Sequence, residues 1–195
     1  MSNETLSPRE RQILLRIARE AIACAAAGRP LPRLELSSLP PHLQEEGAAF
    51  VTLTRQGRLR GCIGALQASQ PLALDVQEHA AAAAVEDYRF PPVRPEEVAL
   101  LEIEISRLTP LQELEYTDAK DLLQKLRPRV DGVVLRHGFQ RATFLPQVWT
   151  DIPDPADFLT QLCYKMGAPG DLWKREHLQV QTYQVEEFKE QMHPT

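Results

Sequence analysis

Arg60-Gly61-Cys62-Ile63-Gly64 sets one thiol between two glycines and beside an arginine. The thiolate is the nucleophilic form of cysteine, and neighbouring cations favour it. If the segment is an extended strand, side chains alternate. Arg58, Arg60 and Cys62 are then expected on one face, with Leu59 and Ile63 on the other. Two guanidinium groups beside a thiol point to a nucleophile or a redox group. No histidine nearby in the sequence supplies the base of a Cys–His pair. The opposing reading is a small buried hydrophobe, the usual fate of free cysteine. Gly61 and Gly64 also read two ways: close backbone approach to a ligand, or a bulge or tight crossing over a helix.

A second chemical segment is Asp87-Tyr88-Arg89-Phe90-Pro91-Pro92. The prolines hold their neighbours extended, which suits a rigid clamp in which Arg89 binds an anion and Asp87 orients a guanidinium or takes a proton. A surface turn with a solvated ion pair explains the same residues. Farther on, Thr143 and Gln147 offer hydrogen-bonding groups in Ala142-Thr143-Phe144-Leu145-Pro146-Gln147-Val148-Trp149, while Phe144 and Trp149 read as core. Lys165 lies near a helix C-terminus, where the helix dipole accounts for a cation.

The elements that must position these groups are mostly legible. Ser7-Pro8-Arg9-Glu10 is a capping box opening a helix with Ile13, Leu14, Ile17, Ala21 and Ile22 at helical spacing, stopped at Gly28. Residues 48–55 and 58–66 flank Gln56-Gly57, a hairpin. A second hairpin, 130–145, turns at His137-Gly138. An apolar, alanine-rich helix is expected over 71–85, a half-buried alternating strand over 101–105, and a short helix capped by Asp118. Asp154-Pro155 opens a helix with Phe158, Leu159, Leu162 and Met166 on one stripe, and a last strand spans 178–185. Hairpins with few helices give an α+β fold with a largely antiparallel sheet and flanking helices. A hairpin-plus-helix echo, 48–85 and 130–167, predicts two lobes around a groove.

Composition excludes several classes. The chain has 195 residues, 43% hydrophobic and 25% charged, enough for one large domain or two small lobes sharing a core. A formal net charge of −5 without a basic run argues against nucleic acid or an anionic membrane as the main partner. Residues 1–12 are polar, and no apolar run is long enough to span a bilayer. Three widely spaced cysteines, Cys24, Cys62 and Cys163, give neither a disulfide framework nor a zinc site, and none of the five histidines has metal-ligand spacing. The reducing cytoplasm is the expected home, with no pairing among the three thiols and no metal.

Leu59-Arg60-Gly61-Cys62-Ile63-Gly64, Asp87 with Arg89-Phe90-Pro91-Pro92, Ser106 with Leu108-Thr109-Pro110, Gly132, Ala142-Thr143-Phe144-Leu145-Pro146 with Val148, and Leu162, Lys165 and Gly167 occur in an order that resembles the AMMECR family. The likeness runs from about Leu14 to Phe188. It implies a single two-lobed α+β domain over 1–195, with lobes of about 1–110 and 111–195 intimately packed, and the Arg-Gly-Cys-Ile-Gly strand beside a groove. It also implies links to a Memo-like protein and a radical-SAM enzyme, which such domains are often encoded beside or fused to. It implies no particular reaction, substrate or cofactor. Many relatives have His-Gly at Asp131-Gly132 and a glutamate at Gln147, so these two positions are not counted as catalytic.

Two functions remain open. In the first, the chain is an enzyme or enzyme subunit acting on a small polar or anionic substrate. Cys62 and Asp87 are then the catalytic candidates, and Arg60, Gly61, Gly64, Arg89 and Thr143 the substrate contacts. In the second, the glycine-rich strand is the docking surface of a non-catalytic module for a partner protein or nucleic acid.

Overall fold

Residues 5–190 are described by the structure, a computed structural model. Residues 1–4, part of the polar start noted above, and 191–195 lie outside them. In chain order the elements are α1 Pro8–Ala26, α2 Pro41–Gln44, β1 Glu46–Arg55, β2 Arg58–Gly64, β3 Gln70–Pro71, α3 Leu72–Val85, β4 Glu102–Leu108, β5 Gln112–Glu113, α4 Ala119–Lys125, β6 Gly132–His137, β7 Gln140–Phe144, α5 Pro155–Lys165, α6 Leu172–Arg175, β8 Gln179–Tyr183 and β9 Val185–Lys189. Short 3-10 turns cover Leu36–Ser38, Pro95–Leu100 and Pro146–Thr150. The fold is α+β with antiparallel sheets, divided into two compact units. One comprises the chain up to Thr109 and from Glu186 onward, the other Pro110–Val185.

The first unit is a sheet ordered β2-β1-β4-β9, with β3 added beside the start of β1. α1 begins where its sequence says it must: the Ser7 backbone N–H donates to Glu10 Oε2 at 2.7 Å, and the Glu10 N–H donates to Ser7 Oγ at 3.3 Å. Leu14, Ile17, Ala21 and Ile22 form its buried stripe. They pack with Ala80, Ala83 and Ala84 of α3 and with Ala49, Val51, Leu53, Ile103 and Ile105 of β1 and β4. Small residues on α3 let its backbone lie close to the sheet. The turn between β1 and β2 has φ of 52° at Gln56 and 72° at Gly57. Positive φ at both central residues matches the twist of the flanking strands.

The second unit has a sheet ordered β5-β8-β6-β7. β6 and β7 pair antiparallel with His137 opposite Gln140, so their turn is Gly138-Phe139, one residue later than expected. Gly138 carries the positive φ, 59°, and this fixes the turn. Asp154 Oδ1 accepts the Ala156 and Asp157 N–H groups and starts α5, whose Phe158 stacks on Trp149 at 3.6 Å between ring centroids.

The single strand expected over 178–185 is two strands. β8 stays in the second sheet, with Val180 and Tyr183 buried there, whereas β9 lies beside β4 in the first sheet. Phe188 joins the α1 core, which is why the chain from Glu186 belongs with the first unit and not with the 111–195 lobe.

Cys24, Cys62 and Cys163 are all free thiols. Cys163 is fully buried on α5, and burial pushes its thiol up from the ordinary value. Thiol titration of denatured, unreduced protein will therefore find three reactive groups, and any lower number would disprove the unpaired assignment.

Candidate functional site

β2 is an edge strand, and its glycines serve close packing. A Cβ on Gly61 would lie 2.1 Å from the Ala83 carbonyl oxygen of α3. On Gly64 it would lie 2.4 Å from Phe50 Cγ and 2.5 Å from the Ala49 carbonyl oxygen on β1. Gly61 thus marks a helix crossing and Gly64 a tight strand contact, the second of the two readings offered by the sequence. Because Gly61 faces α3, the next residue, Cys62, faces away from the helices.

The ladder with β1 pairs Cys62 with Thr52, Gly61 with Leu53, and Leu59 with Thr54. Arg60 has no partner: it is the extra residue of a β-bulge. The bulge overturns the simple alternation expected for Arg58, Arg60 and Cys62. Leu59, not Arg60, shares the Thr54 row and is 44% exposed. Arg60 instead turns to Glu97, donating from Nη2 to Oε2 at 3.2 Å, while Arg55 donates to Oε1 at 3.0 Å. The Arg94 backbone N–H and the Arg60 guanidinium hold the Glu97 carboxyl below its usual range. Arg60 is thereby tied into a network built on residues 94–97. Its Nη1 is buried without a hydrogen-bond partner.

Asp87 and Arg89, by contrast, meet Cys62 directly. The geometry follows from the path of the chain. The strand continues past Cys62 to Pro71 over at most about 30 Å, and α3 then runs back about 21 Å across the sheet. Its end lies over Gly61, so the next residues reach the edge of β2. The Asp87 carboxylate is buried and accepts from the Cys62 N–H at 2.8 Å, Arg89 Nε at 2.8 Å, Arg89 Nη2 at 2.6 Å and the Arg89 N–H at 3.2 Å. Arg89 Nη2 also donates to the Cys62 carbonyl at 3.2 Å. The outward N–H and C=O of Cys62 are thus both engaged, as a neighbouring strand would engage them. The Arg89 guanidinium holds the Asp87 carboxyl well below the usual carboxylate range. A carboxylate so occupied is an acceptor that positions, not a free base.

Because the Cys62 backbone groups point outward, Thr52 and Cys62 form the close, non-hydrogen-bonded kind of antiparallel pair. Their side chains meet: the Thr52 hydroxyl donates to Cys62 Sγ at 3.3 Å. On its other side Thr52 is opposite Glu104 of β4. Cys62, Thr52 and Glu104 therefore form one row across three strands, each half-buried, on the face away from α1 and α3. Thr52 and Glu104 were not singled out from the sequence. The alternation Leu101-Glu102-Ile103-Glu104-Ile105 did place both glutamates opposite the buried isoleucines, but only strand order and register put one of them beside Thr52.

Thr143 belongs to the second unit. Its hydroxyl donates to the Val133 carbonyl at 2.9 Å and shares a 3.0 Å hydrogen bond with Tyr183, whose phenol burial pushes up to about 12. Lys165 donates to the Thr143 carbonyl at 2.9 Å. These bonds join β6, β7, β8 and α5 within that unit. Asp131 is likewise occupied, taking the Arg127 N–H at 2.9 Å and its Nη2 at 2.6 Å. Among the described residues no three His, Cys, Asp or Glu side chains come together as a metal-ligating group.

A family model described as AMMECR1 matches residues 15–188 of this chain. A protein of Methanothermobacter thermautotrophicus is 38% identical over 191 residues, covering 97% of this chain and 99% of that protein. One of Thermococcus gammatolerans is 38% identical over 187 residues, covering 92% and 90%. Among solved structures, the crystal structure of uncharacterized protein PH0010 from Pyrococcus horikoshii is similar with a TM-score of 0.82 at 33% identity, covering 95% of this chain and 93% of that one.

Proposed function

The chain belongs to the AMMECR1 family, and on that premise we propose that it is an enzyme, or an enzyme subunit, whose Cys62 thiol acts on a small polar substrate at the edge of the first sheet. One observation carries this reading. The backbone of Cys62 is clamped on both its polar groups by the Asp87–Arg89 pair, while its sulfur receives a hydroxyl donor from Thr52. A reacting group needs that kind of rigid support. A merely buried cysteine needs none of it. In this proposal Asp87 positions, and Arg89, whose side chain is 44% exposed, offers its outer edge to an anionic group. Gly61 and Gly64 let α3 and β1 come close enough to fix the strand. Arg60 acts through Glu97.

Partnership with a Memo-like protein and a radical-SAM enzyme belongs to the same proposal and rests on the family resemblance. Cytoplasmic residence is supported by the three unpaired thiols. No described helix is long and apolar enough to cross a membrane. The alternative, a docking module, is favoured by Tyr88, which is 95% exposed and adjoins the clamp, and by Leu59 on β2.

The two separate on Cys62→Ser. Incubated with a small-molecule extract, the wild-type protein will change at least one polar metabolite by mass spectrometry. The serine variant will convert it about 100-fold more slowly or not at all, because the hydroxyl is a far weaker nucleophile without an activating base. Wild-type protein that changes nothing, with a serine variant that still captures the same partner protein, would establish the docking reading instead.

A further inference from the structure

We propose that Glu104 selects the substrate of this site: its carboxylate receives an ammonium, amidinium or guanidinium group of a ligand whose reacting atom lies over Cys62. The inference rests on the reading of Cys62 as the reacting group and adds the class of molecule that reaches it.

Glu104 lies directly across β1 from Cys62, with Thr52 between them. Neighbouring strands are about 4.8 Å apart, so the carboxylate-bearing strand lies roughly 10 Å from β2. Among the described residues Glu104 makes no hydrogen bond and no ion pair, although it is half-buried. The buried and half-buried acidic side chains on the other elements of this unit behave differently. Asp75 accepts the Ala49 N–H and pairs with His79, Asp87 is clamped by Arg89, Glu97 by Arg60 and Arg55, and Glu186 by Arg11 and Arg107. A half-buried carboxylate that has lost part of its hydration and gained no donor is left with unused acceptor capacity. A ligand's cationic N–H group satisfies it. Glu102, two residues along on the same face and also without a partner, adds the same sign of charge.

Arg89 lies on the opposite side of Cys62, beyond the sheet edge. Crossing the sheet, the order is therefore cation, thiol, hydroxyl, carboxylate: Arg89, Cys62, Thr52, Glu104. A molecule that matches it carries an anionic group at one end and a cationic group at the other, about the size of an amino acid or a dipeptide. The reacting atom lies nearer the anionic end. This refines the expectation of a small polar or anionic substrate.

Charged thiol reagents test the idea without knowledge of the substrate. Methanethiosulfonates carrying a trimethylammonium-ethyl, a sulfonatoethyl or a plain methyl group react alike. The cysteine sulfur attacks the sulfenyl sulfur, a disulfide forms, methanesulfinate leaves, and the thiol proton passes to buffer. Rates at Cys62 are read by mass spectrometry of the Cys62 peptide at low salt and divided by the rates with the uncharged thiol 2-mercaptoethanol. Arg89 beside Cys62 favours the anionic reagent and Glu104 the cationic one. The readout is therefore the cationic-to-anionic rate ratio, to which Glu104 contributes a preference for the cationic reagent of roughly tenfold, the scale of one unscreened charge at this range. Glu104→Gln, which removes no bond within the protein, will keep the thermal midpoint and lose most of that preference. Glu104→Lys will reverse it. An unchanged preference in Glu104→Gln, with Cys62 still reactive, overturns the role of Glu104 alone. A Cys62 that none of the three reagents modifies overturns the reacting thiol and this inference together.

Discussion

Asp87→Asn will destabilise the protein by about 2–3 kcal/mol, the range for hydrogen bonds made to a charged group and then left unmet. The substitution keeps the shape of the side chain and removes its charge. An amide offers one oxygen to donors that now use two, and its NH2 group faces a guanidinium. Arg89 is half-exposed, so water moderates the loss, and the larger penalty of a fully buried orphan charge does not apply. For a chain of this length the thermal midpoint falls by roughly 5–10 °C. The effect will depend on pH with a definite sign. The folded-state pKa of Asp87 is depressed by Arg89, so its contribution is fully present above the unfolded value of about 4 and is lost as pH falls through the folded value. Urea melts at pH 7 and pH 3 will show the gap between wild type and variant narrowing at the lower pH. An equal gap at both would show that the charge on Asp87 is not what holds the clamp. The same variant frees the backbone of Cys62, so hydrogen exchange at the Cys62 amide will speed up more than at Val51.

Gly61→Ala will cost about 2–3 kcal/mol, the upper part of the range for overpacking. One methyl group is usually tolerated on a strand, and replacing glycine gains a few tenths of a kcal/mol by restricting the unfolded chain. Here the added carbon would meet a backbone oxygen of α3 at 2.1 Å. A side chain could rotate away, whereas this contact yields only if the helix and sheet move apart. For that reason Ala83→Gly, which trims a side chain and keeps the carbonyl, will not rescue the double variant. The displacement would also move Asp87, four residues beyond Ala83, relative to Cys62. Thermal melts of both variants check the prediction. A Gly61→Ala protein melting within a degree or so of wild type would mean that the helix crossing is looser than drawn.

Local chemistry was enough to read much of this fold. Ser7 and Glu10 cap α1 because both partners lie within one turn. Gln56-Gly57 makes a hairpin because its backbone alone must accept positive φ. The alternation through Ile103 and Ile105 assigned a strand with one buried face because side chains on a strand alternate whatever their partners. The alanine-rich stretch read as a helix suited to close packing, and the chain order of the motifs gave the family. Each of these is set within a few residues, where sequence neighbours are also spatial neighbours.

The site was different. Leu59, Arg60 and Cys62 are near one another in sequence, but a bulge at Arg60 redirected the arginine to Glu97, and nothing inside the motif announces the bulge. Gly61 could have served a ligand or a helix until Ala83 lay on it. Asp87 reached Cys62 because an extended segment and a returning helix roughly cancel in length, which depends on where α3 packs. The row of Cys62, Thr52 and Glu104 exists only once β2, β1 and β4 are ordered and registered, and β9 left the second unit because Phe188 found its pocket beside α1. These outcomes depend on contacts between residues far apart in the chain, whose energies are settled by packing and close approach and have no trace in local spacing.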